Sequence, residues 1–238
     1  MPNKLEGTLI ADSEAFQGVA ESDLDEIVRH ARARRYDKNA AVFEQGATAE
    51  SFFVLLDGHI KVVQMTADGQ QVVVRFVNPG ELFGIAAAIG KTNYPATAIA
   101  AAECVTLVWA QSYWRDLTTR YPSITANLLR NMGGHLQDQH SRLQEMATQR
   151  VERRIAHVLL RLVRQAGKKT DQGIEIDFPI TRQDLAEMTG TTLFTVSRVM
   201  SSWDQAGITE GERQRIVVRN PHALVDIAED AADSGTDK

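Results

Sequence analysis

The stretch between residues 41 and 110 constrains the fold more than any other part of the chain. Its apolar residues come in short runs, and glycines at short intervals interrupt these runs. Short runs separated by turn residues are typical of an all-β barrel or sandwich. The pair Asp68-Gly69 lies between two runs rich in valine and predicts a hairpin turn. The predicted strand segments are FFVLLDG, HIKVVQM, QQVVVRFV, ATAIAAA and CVTLVWA.

Helical patterns flank this stretch on both sides. Residues 22–33 begin with Ser22 as an N-cap and carry apolar residues at helical spacing, which predicts a surface helix. A second helix is predicted to begin at Pro122, since proline is favoured in a first turn. An a/d pattern in steps of three and four residues follows, and it consists of Leu129, Met132, Leu136, Gln139, Leu143 and Met146.

Two interpretations of this a/d pattern are open. The stripe can pair two copies of the chain as a coiled coil, or it can pack on its own β domain. The polar residue Gln139 favours the paired helix, because a buried amide can fix the register of a coiled coil.

The remainder of the chain alternates between helix and strand signals. Residues 151–165 predict an amphipathic helix that ends at Gly167, and GIEIDFPI predicts a strand. Thr181 is placed to cap a helix, Gly190 marks a short turn, and a second helix is predicted from about Thr192 to Ala206. The segment EGERQRIVVRNP predicts a turn and a strand, and the acidic last ten residues are expected to be disordered.

The charge of the chain is distributed unevenly. The net charge is −5, but residues 150–220 contain 12 basic and 9 acidic residues, which gives +3 there and −8 elsewhere. This asymmetry indicates that one part of the chain meets a polyanion. No segment has the pattern of a signal peptide or a membrane span, so a cytoplasmic protein is expected. The single cysteine, Cys104, excludes a disulfide framework within the chain and is expected in the core.

A helix, a short turn with glycine and a second helix form the helix-turn-helix module, whose second helix lies in the major groove of DNA. The second helix contains GTTLFTVSR, which is rich in hydroxyl groups that bond phosphate oxygens. Arg198 can present two donors to guanine O6 and N7. The residues expected to hold the two helices together are Leu185, Ala186, Val196, Val199 and Met200.

These features resemble the Crp/Fnr superfamily of bacterial transcription regulators over about residues 20–225. The resemblance is carried by GATAESFFVLLDGHIKVV and NPGELFG in the β segment, the long helix, and ITRQDLAEMTGTTLFTVSRVMSSWDQAGI. It implies an α+β fold. The expected parts are a β-roll of the cyclic-nucleotide-binding type (1–120), a dimerisation helix (121–150), a winged helix-turn-helix (151–225) and a disordered tail (226–238).

The resemblance also implies a homodimer that binds a two-fold symmetric operator in double-stranded DNA and recruits or blocks RNA polymerase. Arg198 matches the arginine that reads guanine in the family, and Ser197 matches the serine of the Fnr type. Phe194 departs from the pattern, since it stands where both types carry a base-reading glutamate. An apolar ring cannot accept a hydrogen bond from a base, so discrimination at that base pair is predicted to be shifted or relaxed. The expected DNA contacts are Arg182, Thr191, Thr192, Phe194, Thr195, Ser197 and Arg198.

Cyclic AMP is not the expected signal. Relatives that bind it carry a glutamate after the glycine of the phosphate loop and an Arg-Ser pair further on, whereas this chain has Ile85 after Gly84 and the pair Tyr94-Pro95. A buried phosphate without a paired arginine is strongly penalised. Glu81 precedes the glycine and is assigned to the preceding turn. The cysteine cluster of an Fnr-type iron-sulfur sensor is absent from the sequence.

The motifs YPATA and GTTLFTVSR look similar to the Dnr/NnrR branch, which responds to nitric oxide with haem as the proposed cofactor. A haem needs an axial ligand, usually imidazole. His135 and His140 on the dimerisation helix, on either side of Gln139, are the preferred candidates, and they are weighed against ordinary polar residues. The nearest competing interpretation is a FixK-type regulator that needs no ligand. The other histidines, expected at the surface, are His30, His59, His157 and His222.

Two other classes of protein are alternatives to a DNA-binding regulator. No phosphate loop, HExxH, GxSxG or paired-cysteine motif occurs, so no enzyme activity is expected. A ligand-binding protein without DNA binding is the second alternative, and it requires Arg198 to be dispensable for operator affinity.

Overall fold

The computed structural model describes residues 6–212 and 214–229. The chain separates into two compact units, Met1–Asp138 and Gln139–Lys238. The division falls inside one long helix.

The N-terminal unit contains two four-stranded antiparallel sheets, in the orders β1-β8-β3-β6 and β2-β7-β4-β5. This confirms the predicted β sandwich. Helix α1 precedes the strands, and α2 and α3 follow them. The bounds are α1 Glu21–Arg29, β1 Arg32–Tyr36, β2 Ala41–Phe43, β3 Ser51–Asp57, β4 Ile60–Met65, β5 Gln71–Val77, β6 Leu82–Phe83, β7 Thr97–Ala100, β8 Cys104–Ala110, α2 Tyr113–Arg120 and α3 Pro122–Thr148, with 3-10 turns at Gly7–Ile10, Glu14–Phe16 and Ala86–Ile89.

Strand alternation divides the buried residues of this unit into two cores. Phe52 and Val54 of β3 belong to a core shared with Trp109 and the residues of α1. Phe53 and Leu55 point to the opposite face and belong to the core that both sheets share. The Trp109 Nε1 donates to the Ile27 carbonyl at 2.9 Å, which satisfies the indole in an otherwise apolar environment.

The predicted hairpin at Asp68-Gly69 is confirmed. Strands β4 and β5 pair as neighbours, and the Thr66 amide donates to the Gln70 carbonyl at 2.9 Å to close the turn. Gly69 has a φ of 77°, a left-handed conformation that strongly favours glycine.

The start of the chain differs from the prediction. The first helix ends at Arg29, and its N-cap is Ala20 without a side-chain cap rather than Ser22. Arg32 and Ala33, predicted as the end of this helix, belong to β1, which pairs with β8 from Arg32 to Tyr36. Hydrogen bonding to an edge of the sheet overrides the local helical pattern here.

Two side chains at the start of β4 and β8 are buried. Cys104 is buried as predicted, and its thiol lies 3.2 Å from the His59 carbonyl oxygen. His59 is only 9% exposed, so its prediction as a surface residue is wrong. The physical reason lies in its neighbours, because the turn before β4 places His59 next to Cys104 and to Ala101, whose amide donates to its carbonyl.

The C-terminal unit contains the last part of α3, four further helices and one antiparallel sheet in the order β11-β12-β10-β9. The predicted helix-turn-helix and hairpin are present. The bounds are α4 Val151–Ala166, β9 Gly167–Thr170, β10 Gly173–Ile176, α5 Arg182–Thr189, α6 Leu193–Gln205, β11 Thr209–Glu212, β12 Arg215–Val218 and α7 Pro221–Glu229.

Two elements of this unit were not predicted. Strand β9 pairs with β10 although its sequence, GKKT, has no apolar residue. Helix α7 extends to Glu229, so residues 226–229 are helical rather than part of a disordered tail. Its Leu224 and Ala228 are buried, and Arg153 donates two hydrogen bonds to the Ala228 carbonyl at 3.2 Å. The predicted tail from residue 230 onward lies outside the described residues.

Among the described residues, none of the helices combines the length and apolarity needed to cross a membrane.

Candidate nucleic-acid interface

The two helices of the helix-turn-helix are fixed by local signals in the sequence. Thr181 caps α5 with a reciprocal capping box, in which Asp184 accepts from the Thr181 amide at 2.8 Å and its own amide donates to the Thr181 hydroxyl at 3.0 Å. Gly190 ends α5 with a φ of 61°. Thr192 then caps α6 by accepting from the Thr195 amide at 3.2 Å. Caps of this kind stabilise a helix by about 1 kcal/mol each.

The inward side of α6 packs on α5 as predicted. The predicted inner residues are all buried, and Trp203 of α6 is buried with them. Since these positions fix the rotation of α6 about its own axis, they also determine which side chains face outward. The buried residues are Leu185, Ala186, Val196, Val199 and Met200.

The outward face of α6 is formed around Phe194 and Arg198. Phe194 is 78% exposed, and Arg198 lies one turn later on the same side of the helix. The Arg198 guanidinium makes no hydrogen bond or ion pair with any other residue that the structure describes. A cation without a protein partner on the exposed face of such a helix is suited to a bidentate contact with guanine.

The hydroxyl groups near the start of α6 serve the helix as well. The Thr192 and Thr195 hydroxyl oxygens lie 2.9 Å apart, and the Thr192 oxygen also caps the helix. Thr191 and Ser197 are half-buried at the edge of the outward face. The hydroxyl groups of GTTLFTVSR are therefore explained in part by capping, and their phosphate contacts remain a prediction.

Arg182 belongs to a network that the sequence did not indicate. Its Nη2 lies 3.2 Å from the Asp204 Oδ2, and its Nη1 donates to the Ser201 hydroxyl at 3.4 Å. The other Asp204 oxygen accepts from the Thr209 hydroxyl at 2.6 Å. Asp204 thus joins the first turn of α5, the end of α6 and the start of β11. The guanidinium of Arg182 is already engaged within the protein, unlike that of Arg198.

Several other cations of this unit are also paired. The Arg215 guanidinium donates to both Glu175 oxygens at 2.9 and 2.8 Å, and these hydrogen bonds raise the pKa of Arg215. Arg219 lies 3.4 Å from Glu210 in the next strand. The free positive charge at this sheet is therefore smaller than the number of its basic residues suggests. By contrast, Arg198 has no partner among the residues that the structure describes.

The predicted ligand-pocket residues separate in the structure. Gly84 and Tyr94 both adjoin the aromatic cluster inside the β sandwich: the Tyr94 ring stacks on Phe43 at 3.9 Å between centroids, and a Cβ on Gly84 would lie 2.7 Å from the Phe53 ring. The Tyr94 hydroxyl donates to the Ser51 carbonyl at 2.7 Å. Burial raises the pKa of Tyr94, so the phenol stays neutral.

Two other pocket candidates of the N-terminal unit, Ile85 and Pro95, do not join this cluster. Ile85 packs on the core of α1 instead, and Pro95 is exposed. The side chains of His135, Gln139 and His140 are exposed on α3. Within residues 6–212 and 214–229, no group of three or more His, Cys, Asp or Glu residues is placed to hold a metal ion.

Glu81 lies in the turn before β6, as predicted. Its carboxylate accepts from Asn78 at 2.8 Å and pairs with Arg75 at 2.5 Å.

A β sandwich followed by a long helix and a helix-turn-helix with an exposed reading face defines a two-part DNA-binding regulator. Family models support both parts: the cyclic nucleotide-binding domain matches residues 33–121, and the Crp-like helix-turn-helix domain matches residues 153–227. The chain belongs to the Crp/Fnr family of transcriptional regulators.

Similar proteins extend along nearly the whole chain. The cyclic AMP receptor protein of Thermus thermophilus is 26% identical over 216 residues, which cover 91% of this chain and 97% of that protein. The transcriptional activator protein FnrA of Stutzerimonas stutzeri is 25% identical and covers 89% of this chain and 85% of its own length. The structure of FixK2 from Bradyrhizobium japonicum has a TM-score of 0.73 at 22% identity, with 85% of this chain and 99% of that chain covered.

Proposed function

We propose that this regulator works as a homodimer that reads an inverted-repeat operator through the outward face of α6, with Arg198 contacting guanine. The observation that carries the proposal is the Arg198 guanidinium, which is exposed and has no partner among the described residues, on the helix that the Crp-like domain uses for DNA. Apolar Leu129, Leu136 and Leu143 are exposed along α3, which supports pairing of two copies through that helix.

Binding of DNA is tested with fluorescence anisotropy on an inverted repeat whose half-sites are centred about one helical turn apart. Arg198→Ala is expected to lose about 1–3 kcal/mol of affinity for the operator and little for random DNA. Arg198→Lys is the matched control, because it keeps the charge but cannot present the planar fork of donors. Equal losses on operator and random DNA would show that Arg198 contacts only the phosphate backbone.

RNA polymerase is the second proposed partner, and activation of transcription is the proposed outcome. FnrA, a relative over most of the chain, is named a transcriptional activator. Transcription in vitro from a promoter that carries the operator distinguishes activation from repression.

We also propose that the regulator does not respond to a cyclic nucleotide. Tyr94, in the pair aligned with the Arg-Ser pair of cyclic AMP-binding relatives, is neutral, buried and stacked on Phe43. A buried cyclic phosphate would have no arginine in this pair to neutralise it. Isothermal titration with cyclic AMP tests this proposal, and saturable binding at micromolar concentration would refute it.

Two candidates remain for the signal. Nitric oxide acting through haem is proposed from the motifs of the Dnr/NnrR branch, with His135 or His140 as axial ligand. Both imidazoles are exposed in the single chain, so they do not form an apolar haem site unless a second chain covers them. The aromatic cluster around Tyr94 favours the other candidate, a FixK-like regulator without a ligand, because the interior of the sandwich is filled by the protein itself.

An absorption spectrum separates these candidates. Protein mixed with haem should show a Soret band that shifts with nitric oxide and is lost in His135→Ala or His140→Ala, if haem is the sensor. Absence of haem binding, together with undiminished operator affinity, would support the ligand-independent regulator.

A further inference from the structure

The first turn of α6 carries two neighbouring apolar side chains that nothing in the described protein covers. Leu193 is 46% exposed and Phe194 is 78% exposed. Leu193 and Phe194 together are called the apolar tip below. Single exposed apolar residues are common on protein surfaces, so exposure alone says little. Leu193 and Phe194, however, lie at the start of α6, the helix proposed to contact DNA. Their exposure therefore bears on what this helix binds.

The buried residues of α6 define where the apolar tip points. Successive residues of a helix are about 100° apart, so the buried positions Val196, Val199 and Met200 centre on one side, and Phe194 lies almost opposite them. Leu193 flanks it on the side of Ser197. Phe194 therefore occupies the middle of the outward face, one turn before Arg198.

The chemistry of the two side chains limits what they can recognise. Neither has a donor or an acceptor, so neither can distinguish bases by hydrogen bonds. The major groove offers one apolar group for such side chains, the C5-methyl group of thymine, and the same group is present on 5-methylcytosine. Uracil and unmodified cytosine have hydrogen at this position.

The neighbours of the apolar tip are consistent with a DNA contact rather than with a protein partner. Thr192 caps the helix beside it, so the free amides of the first turn and their positive end of the helix dipole lie at the same place, where they favour phosphate. Arg198 lies on the same face. The major groove presents methyl groups, phosphates and base edges close together. The apolar tip can contact a methyl group, the start of α6 a phosphate, and Arg198 a base edge.

We propose that Leu193 and Phe194 read the C5-methyl group of a pyrimidine in each half-site, so that the regulator selects thymine and also accepts 5-methylcytosine there. This inference rests on the proposed reading of DNA by α6. It assigns a preference for a C5-methylated pyrimidine to the position of Phe194, where the base-reading glutamate of the family, a hydrogen-bond acceptor, is absent. It also makes operator affinity sensitive to methylation of cytosine.

The test begins with the full-length protein and a library of random inverted repeats, from which bound duplexes are selected. In the selected operator, each thymine is replaced by deoxyuracil, which removes only the methyl group. Burial of one methyl group is worth about 0.8 kcal/mol, so one replacement should weaken binding about fourfold, and the symmetric pair about 15-fold. Cytosine and 5-methylcytosine are then compared at the sensitive position.

Variants assign the methyl effect to the apolar tip. In Phe194→Ala the deoxyuracil penalty should disappear, while Phe194→Leu should keep much of it and Leu193→Ala should reduce it. Because Phe194 is highly exposed, its substitution should leave the fold and the free energy of unfolding unchanged. Met65→Ala is the matched control, with no expected change in the deoxyuracil penalty. It removes an apolar side chain that is 49% exposed, about as much as Leu193, but that lies in β4 rather than in α6.

Each outcome has a definite meaning. If no thymine of the operator is sensitive to deoxyuracil, or if wild type and Phe194→Ala lose equally, the inference is overturned while DNA reading stands. If deoxyuracil weakens binding but 5-methylcytosine binds no better than cytosine, recognition of 5-methylcytosine is overturned and thymine alone is the recognised base. If the library yields no enriched sequence, the proposed function fails, and the inference fails with it.

Discussion

The ion pair between Glu145 and Arg161 is expected to hold the last turn of α3 on α4. The Arg161 Nη1 and Nη2 donate to the two Glu145 oxygens at 2.6 and 3.0 Å. The side chains are 11% and 13% exposed for Glu145 and Arg161 respectively, so water screens the pair weakly. The perturbation is Glu145→Ala, which leaves the Arg161 guanidinium mostly buried without its counter-charge.

The expected magnitude follows from burial. Removal of one partner of a fully buried pair costs about 3–5 kcal/mol, and the remaining access to water places this pair at about 3 kcal/mol. Glu145→Leu combined with Arg161→Met removes both charges and should cost less than the single substitution, since desolvation of the charges offsets much of the attraction. Lys168→Ala is the control, because the Lys168–Asp177 pair is 68% and 40% exposed and should contribute less than about 1 kcal/mol.

Urea denaturation of the full-length chain, followed by circular dichroism, measures the free energy of unfolding for each variant. Hydrogen exchange of peptides from α4 locates the change, and exchange there should rise in Glu145→Ala. A loss below about 1 kcal/mol for Glu145→Ala, or a double variant as unstable as the single one, would refute the assignment of a buried, mutually dependent pair.

Three further predictions concern α3 and the β sandwich. The Leu136 side chain is 69% exposed in the single chain, and Leu136→Glu should convert a dimer into a monomer without loss of helix content, as measured by analytical ultracentrifugation. A dimer that persists in this variant would exclude pairing of two copies through α3. Gly133→Ala and Gly134→Ala should each stabilise the helix by up to about 1 kcal/mol in urea. Apart from the adjacent residues and the backbone of α3 itself, no atom of the described residues lies within 4 Å of either added Cβ, so destabilisation would indicate close approach by a second copy. The raised pKa of Tyr94 means that the folded state favours the neutral phenol. The free energy of unfolding should therefore fall as the pH rises above the usual value of 10.0 and through the folded pKa, and Tyr94→Phe should weaken this pH dependence.

The parts of the fold that were predicted are those in which local and tertiary preferences agree. The capping residues Thr181 and Thr192, and Gly190 with its positive φ, mark the helix-turn-helix by the same interactions that build it. The apolar alternation of β3 likewise serves both cores of the N-terminal unit. In these segments the local conformational preference of each residue agrees with the structure that the residue adopts in the folded chain.

Several of the parts that were missed depend on distant partners. Strand β1 contains three arginines in five residues and is a strand because β8 pairs with it. Strand β9 was missed for a different reason: its partner β10 is the next strand in the chain, but its own sequence, GKKT, has no apolar residue. Asp204 gave no signal because its partner Arg182 lies 22 residues earlier in the chain. Pairing of this kind becomes visible only when the chain is folded.

The contacts of the last turn of α3 limit which part of α3 can deform when a signal is transmitted to α6. Within the C-terminal unit, Glu145 pairs with Arg161, and Arg154 donates to the carbonyls of Gln149 and Thr189 at 3.0 and 3.1 Å. Any movement that keeps these bonds must carry the end of α3 together with the helix-turn-helix. The deformable part of α3 then lies before Glu145, and adjacent glycines, which weaken a helix by about 1 kcal/mol each, stand there at Gly133 and Gly134.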